Sequence, residues 1–132
     1  MLSPASFAAL FDEKYVLLTT FRASGVGVPT AVWAAADGDV LYVTTFATAG
    51  KVKRIRNNPA VTLEPCTMAG RVKNGATPTD ARAEIIDDPA GLAAGNAIIE
   101  RKYGWQYRMA FRAARRRGAE VSSRVILKIT PA

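Results

Sequence analysis

Three β-prone segments follow one another along this chain with only turn-length gaps between them. Residues 15–22 (Tyr-Val-Leu-Leu-Thr-Thr-Phe-Arg), 28–36 and 40–45 (Val-Leu-Tyr-Val-Thr-Thr) are rich in β-branched and aromatic side chains. Ala23-Ser24-Gly25 and Asp37-Gly38-Asp39 separate them, and the second of these is a hairpin signal. A parallel pair needs a crossover of roughly a dozen residues or more, so these gaps impose an antiparallel meander. Pro29 falls near the start of its segment, where a missing N–H is tolerated.

The rest of the chain alternates helical and extended patterns. Ser3-Pro4 suits a helix start, and Phe7, Leu10 and Phe11 supply an apolar face ending near Lys14. Thr48 is placed to cap a helix over 49–56, which Asn57-Asn58-Pro59 stops. Residues 60–68 and 81–87 read as a fourth and a fifth strand. Asp87 and Asp88 precede Pro89 at the start of a helical region reaching about Arg117, with Gly104 as a break and Gly118 as a stop. Tyr107, Ala110, Phe111 and Ala114 share one apolar face there. Residues 123–130 alternate into a last strand. The expected fold is a mainly β (α+β) domain spanning residues 1–132, a six-stranded antiparallel barrel with short helices inserted.

Composition narrows the chemistry. Among 132 residues there is no histidine, which excludes His triads, His general bases, His metal sites and haem held by a proximal His. The one cysteine, Cys66, lies in an apolar segment beside Pro65 and reads as a small buried hydrophobe in a reducing compartment. Any catalysis then falls to a bound cofactor. The formal charge of +7 favours anionic partners. No run of residues reaches the length of a membrane span, and the N-terminus lacks a basic leader, so the expected location is the cytoplasm.

One stretch carries a binding signal. A strand ends in Thr44-Thr45, a small-residue loop follows, and a helix opens on Gly50-Lys51-Val52-Lys53-Arg54. Free N–H groups and the positive dipole end at a helix start attract an oxyanion, and a glycine there allows close approach. Lys51 and Arg54, three residues apart, share a face. The spacing is not that of the nucleotide-hydrolase phosphate loop. A solvated basic helix is the alternative reading.

Together, residues 15–22, Pro29-Thr30-Ala31-Val32-Trp33, Leu41 to Thr45, Gly50 to Arg54 and the closing Ser123-Arg124-Val125-Ile126-Leu127 resemble the pyridoxine-phosphate-oxidase-like split β-barrel superfamily, an FMN-binding-like fold. Within it, the chain is most similar to the small deazaflavin-dependent oxidoreductases. The resemblance implies a homodimer with cofactor sites between subunits. It implies coenzyme F420 as cofactor, FMN being the alternative, with Thr44, Thr45, Gly50, Lys51 and Arg54 around the phosphate. Pro29, Thr30, Ala31, Val32 and Trp33 would border the ring. By alternation Thr30 and Val32 share one face and Ala31 and Trp33 the other, so both sets are not expected to touch it. Trp33 reads equally as core or interface packing. The implied reaction is hydride transfer to a small electron-poor acceptor, enone or quinone-like, with the proton from water or Tyr42. A cofactor-binding module without turnover is the other reading.

Eight basic residues lie between Arg101 and Arg124, opposed only by Glu120. They match no nucleic-acid reading motif. Arg112 and Arg115 to Arg117 would suit the polyglutamate tail of a deazaflavin, and a solvated basic face is the simpler alternative.

Overall fold

The segment expected as one strand over residues 28–36 is two strands, and this shapes the whole molecule. In the computed structural model, which describes residues 5–73, 76–116 and 124–132, β1 is Val16–Phe21, β2 Gly27–Val32, β3 Ala35–Asp37 and β4 Val40–Phe46. β2 pairs with β1, Pro29 standing opposite Thr19, whereas β3 pairs with β4. With β5 (Ala60–Pro65), β6 (Thr79–Ile86) and β7 (Arg124–Pro131), they form one antiparallel sheet in the order β2-β1-β5-β6-β7-β4-β3. The described residues therefore hold seven strands, not six.

β2 and β3 lie at opposite ends of that sheet although only Trp33 and Ala34 separate them in the chain. Six interstrand steps of ~4.8 Å would hold the ends of a flat sheet about 29 Å apart. Three consecutive Cα–Cα links reach at most about 11 Å. The sheet has to curl until its ends meet, and the result is a half-barrel. Alternation alone could not expose the switch, because both halves of the segment carry the same β-prone composition.

The curl gives the strands an inside and an outside. Val16, Leu18, Val43, Leu63 and Leu127 are buried inside with Phe7 and Leu10, which come from the segment of α1 (Ala5–Ala8). α2 (Gly50–Asn57) adds Val52 and Ile55, both buried. On the outside α3 (Pro89–Tyr103) packs Ile99 and Tyr103 against Ala35 and Ile126. The contact is close: a Cβ on Gly95 would lie 2.8 Å from Ile126 Cγ1. Asp88 caps α3 as expected, its carboxylate accepting from the Gly91 N–H at 2.8 Å. Gly104, at φ 58°, ends α3 before α4 (Trp105–Arg116). Cys66 is buried, and β5 stops one residue before it. Ser3, Pro4, Gly118 and Ser123 lie outside the described residues.

The switch between sheet ends is pinned from α3. The Tyr103 hydroxyl accepts the Ala34 N–H at 2.9 Å and donates to the Lys14 carbonyl at 2.7 Å. Lys102 Nζ donates to the carbonyls of Glu13 and Ala34, each at 2.6 Å, and of Phe11 at 3.0 Å. Trp33 stacks flat on Tyr103, ring centroids 4.4 Å apart and planes within 8°.

Candidate cofactor site

β4 runs out of the sheet at Thr44-Thr45-Phe46, and there its alternation does chemical work. Thr45 points inward with Leu41 and Val43 and is buried, while Thr44 and Phe46 point outward. Each hydroxyl holds one cation. Lys51 Nζ donates to Thr45 Oγ1 at 3.2 Å, and Arg124 Nε donates to Thr44 Oγ1 at 3.2 Å. The Arg124 guanidinium also lies over the Phe46 ring, 4.6 Å from its centroid. Arg54, one helical turn beyond Lys51, donates from Nε to the buried Thr20 hydroxyl at 2.6 Å.

An open cavity of about 360 Å³ lies against this corner. Its lining is Thr30, Ala31, Val32 and Trp33 from β2 and the switch, Thr44, Thr45 and Phe46 from β4, and Lys51, Ala110 and Arg124. Among the described residues its lining contains two cations and no carboxylate. Burial, then the charges of Arg54 and Arg124, hold the Lys51 amine below the usual lysine range. Burial also lowers the Arg124 pKa, with neighbouring Tyr107 acting the other way, and it raises the Tyr107 phenol.

The helix start adds to this charge. Ala49, not Thr48, is the N-cap of α2, with no side-chain cap bond and no acidic residue in the first turn. Thr48 is exposed. Lys51 and Lys53 thus occupy the positive end of the helix dipole, the unfavourable end for a cation. A Cβ at Gly50 would lie 2.8 Å from Arg54 Nη1, the movable end of a long side chain.

Of the residues expected around a cofactor, Thr30 to Trp33, Thr44, Thr45 and Lys51 come together on the cavity. Gly50 and Arg54 stand behind it at the helix start. Pro29 is exposed on β2 and does not line it. Although Thr30 and Val32 share one face and Ala31 and Trp33 the other, all four border the cavity. β2 is an end strand, and an end strand borders a groove with its main chain, along which successive residues follow regardless of face. Trp33 belongs both to the cavity wall and to the outer core. Tyr42 packs in that outer core and is not in the lining.

Four contributors were not expected: Thr20, Phe46, Ala110 and Arg124. Arg124 had been grouped with the basic cluster, but the β4–β7 register sets it opposite Phe46, 78 positions away in the chain. The cluster is not one patch. Lys102 is tied to main-chain carbonyls, Arg101 faces Asp37 at 3.9 Å, and Arg108 pairs with Glu100 at 3.4 Å. Arg112 is exposed. Arg117 and the side chains of Phe111, Ala114, Arg115 and Arg116 lie outside the described residues.

Solved structures share this architecture. An F420 reductase superposes with a TM-score of 0.64 at 24% identity, over 98% of this chain and 95% of its own. A pyridoxamine 5'-phosphate oxidase-like protein from Listeria innocua gives 0.61 at 19% identity, over 94% and 88%. These likenesses show a shared split-barrel fold. Other split barrels do other work: HutZ, the heme storage protein of Vibrio cholerae, gives 0.69 at 14% identity over 99% and 92%. No protein-family model and no curated protein matches the chain. Among the described residues of this split barrel no helix is long and apolar enough to cross a membrane.

Proposed function

We propose that this split barrel binds the deazaflavin coenzyme F420, with FMN as the alternative, and uses it to reduce a small electron-poor acceptor of enone or quinone type. Lys51 carries the reading. It is desolvated, sits at the positive end of a helix, has two cationic neighbours, and forms no ion pair with another described residue. A bound phosphate relieves all three penalties at once. Thr45 and Thr44 add hydroxyls beside it, and Arg54, anchored on Thr20, adds charge from behind. Trp33, immobilised on Tyr103, offers a flat wall for a ring system.

When bound, the reduced coenzyme supplies a hydride. The chain's own residues bind, orient and exclude water: Lys51 and the threonines fix one end of the ligand, and Trp33 with Ala31 and Val32 limits tilt and solvent at the other. We assign the homodimer to the same proposal, a second copy completing the open side of the cavity. Exposed Arg112 is offered as part of a grip on the polyglutamate tail, a contact that salt weakens.

Among the described residues, no haem ligand of the usual kinds, His, Cys, Met or Tyr, lines the cavity. A cofactor carrier without turnover is the second reading. Fluorescence titration with F420 and FMN, followed by turnover of reduced cofactor with a panel of enones and quinones, tests both. Binding with turnover supports the reductase, binding without turnover the carrier, and no binding of either cofactor overturns both.

A further inference from the structure

α4 has one side in the outer core and another in water. Tyr107 is buried in the outer core with Ile99, Tyr103 and Ile126, and Ala110 borders the cavity. At 3.6 residues per turn, Trp105, Met109 and Arg112 fall within an arc of about 60°, roughly opposite Tyr107 and about 100° or more round from Ala110. Trp105 is 66% exposed and Met109 55%. Arg108 and Arg112 are exposed beside them. The large hydrophobics exposed among the described residues are Val26, Phe46, Met68, Trp105 and Met109, and of these only Trp105 and Met109 share a helix.

We infer that this outer stripe of α4 is a docking surface for an anionic lipid bilayer, on which the helix lies flat. Charge selects the occupant. The helix carries Arg108, Arg112, Arg115 and Arg116 and no acidic residue. A second copy seated on the stripe by a two-fold axis would set arginines against arginines. Single-stranded nucleic acid is gripped by several aromatics in succession along a groove, whereas this stripe offers one indole on a convex helix. A lipid headgroup layer accepts both kinds of side chain. Tryptophan settles where headgroups meet acyl chains, and arginine lays its stem on apolar surface while its guanidinium reaches lipid phosphates. Arg108 already pairs with Glu100 at 3.4 Å, so Arg112 is the arginine in line with Trp105 and Met109. Two apolar side chains bury too little to hold the chain on a neutral bilayer, and the arginines must supply the rest. The helix needs no refolding to dock, because Tyr107 fixes its other side. Docking is independent of the cofactor reading. Arg112 is common to this surface and to the tail contact proposed above, so the test is made without F420.

The full chain is co-sedimented with vesicles of phosphatidylcholine alone and of an equal mixture of phosphatidylcholine and phosphatidylglycerol. The wild type is expected to bind the mixed vesicles at least roughly tenfold tighter than the neutral ones, and to be released as salt rises. Because a chain of net charge +7 is drawn to any anionic surface without orientation, the deciding variant keeps every charge. Trp105→Ser with Met109→Ser should lose roughly tenfold in affinity for the mixed vesicles. Both side chains are exposed, so this variant should melt as the wild type does. Met68→Ser, equally exposed but in the loop after β5, should bind as the wild type does. Arg112→Gln should weaken binding severalfold. Equal binding to both vesicle types, or binding to neither, overturns the inference. Undiminished binding by the double serine variant overturns it too, leaving only a diffuse attraction of charge. Self-association, or binding of a single-stranded oligoribonucleotide, that depends on Trp105 while the mixed vesicles are ignored overturns it in favour of a second copy or of nucleic acid. Failure to bind F420 or FMN is read in a separate titration and removes the proposed function alone.

Discussion

Arg54 donates from Nε to the hydroxyl of Thr20 at 2.6 Å, and Thr20 is wholly buried inside the sheet curl. Thr20 stands among the inward-facing positions of β1, in line with Val16 and Leu18, where an aliphatic residue would be the ordinary occupant. A polar group in that row is tolerated because the arginine satisfies it. The pair joins α2 to β1 and fixes the helix whose first turn faces the cavity. Thr20→Val keeps the volume and removes the acceptor, leaving a partly buried guanidinium N–H without it. Urea unfolding is expected to show a loss of about 1–3 kcal/mol. In a double-mutant cycle with Arg54→Met the losses should be clearly non-additive.

Lys51 should oppose stability while serving binding. Its folded-state pKa lies below the ordinary lysine value of 10.5, so between the two the unfolded chain holds more protons and stability rises with pH across that window. Lys51→Met should reduce that slope, leave the free protein at least as stable by thermal melting, and weaken F420 binding by about 1–3 kcal/mol. An anion beside Lys51 raises its pKa again, so binding takes up protons, and wild-type affinity should fall as pH rises through the depressed value. Lys51→Arg should flatten that fall. Fluorescence titration across alkaline pH measures all three proteins.

Tyr103 gives the opposite sign. Burial, opposed by the hydrogen bond to Ala34, pushes its phenol from 10.0 up to about 12. Its contribution is complete below pH 10 and is lost as pH rises toward 12, where the unfolded chain ionises first. Tyr103→Phe should be less stable than wild type by about 1–3 kcal/mol at pH 7, since the Ala34 N–H loses its acceptor. The gap should narrow at pH 11 in denaturant titrations.

Gly95 sets the approach of α3 to β7. An added Cβ would meet three atoms of the buried Ile126 side chain at 2.8, 2.9 and 3.1 Å. Helix propensity alone favours Gly95→Ala by about 1 kcal/mol, but overpacking costs typically 1–3 kcal/mol, so a net loss of stability is expected. Gly95→Ala combined with Ile126→Val should recover part of it, read by thermal melting.

The β1–β2 and β3–β4 hairpins, the Asp88 cap, the break at Gly104 and the helix opening on the basic run Gly50 to Arg54 were legible in the sequence. Each depends on residues within a turn or a hairpin of one another, where periodicity and turn chemistry act directly. The switch at Trp33-Ala34 was not legible. Nothing local distinguishes a strand that continues from one that changes partners, and the distinction arises only when seven strands compete for two sheet ends. The same long-range pairing put Arg124 beside Thr44 and Phe46, and the curl of β1 put Thr20 under Arg54. Sequence placed basic residues at the start of α2. The tertiary fold decided which distant side chains surround it, because strand register and sheet closure are set by the burial of the entire apolar face.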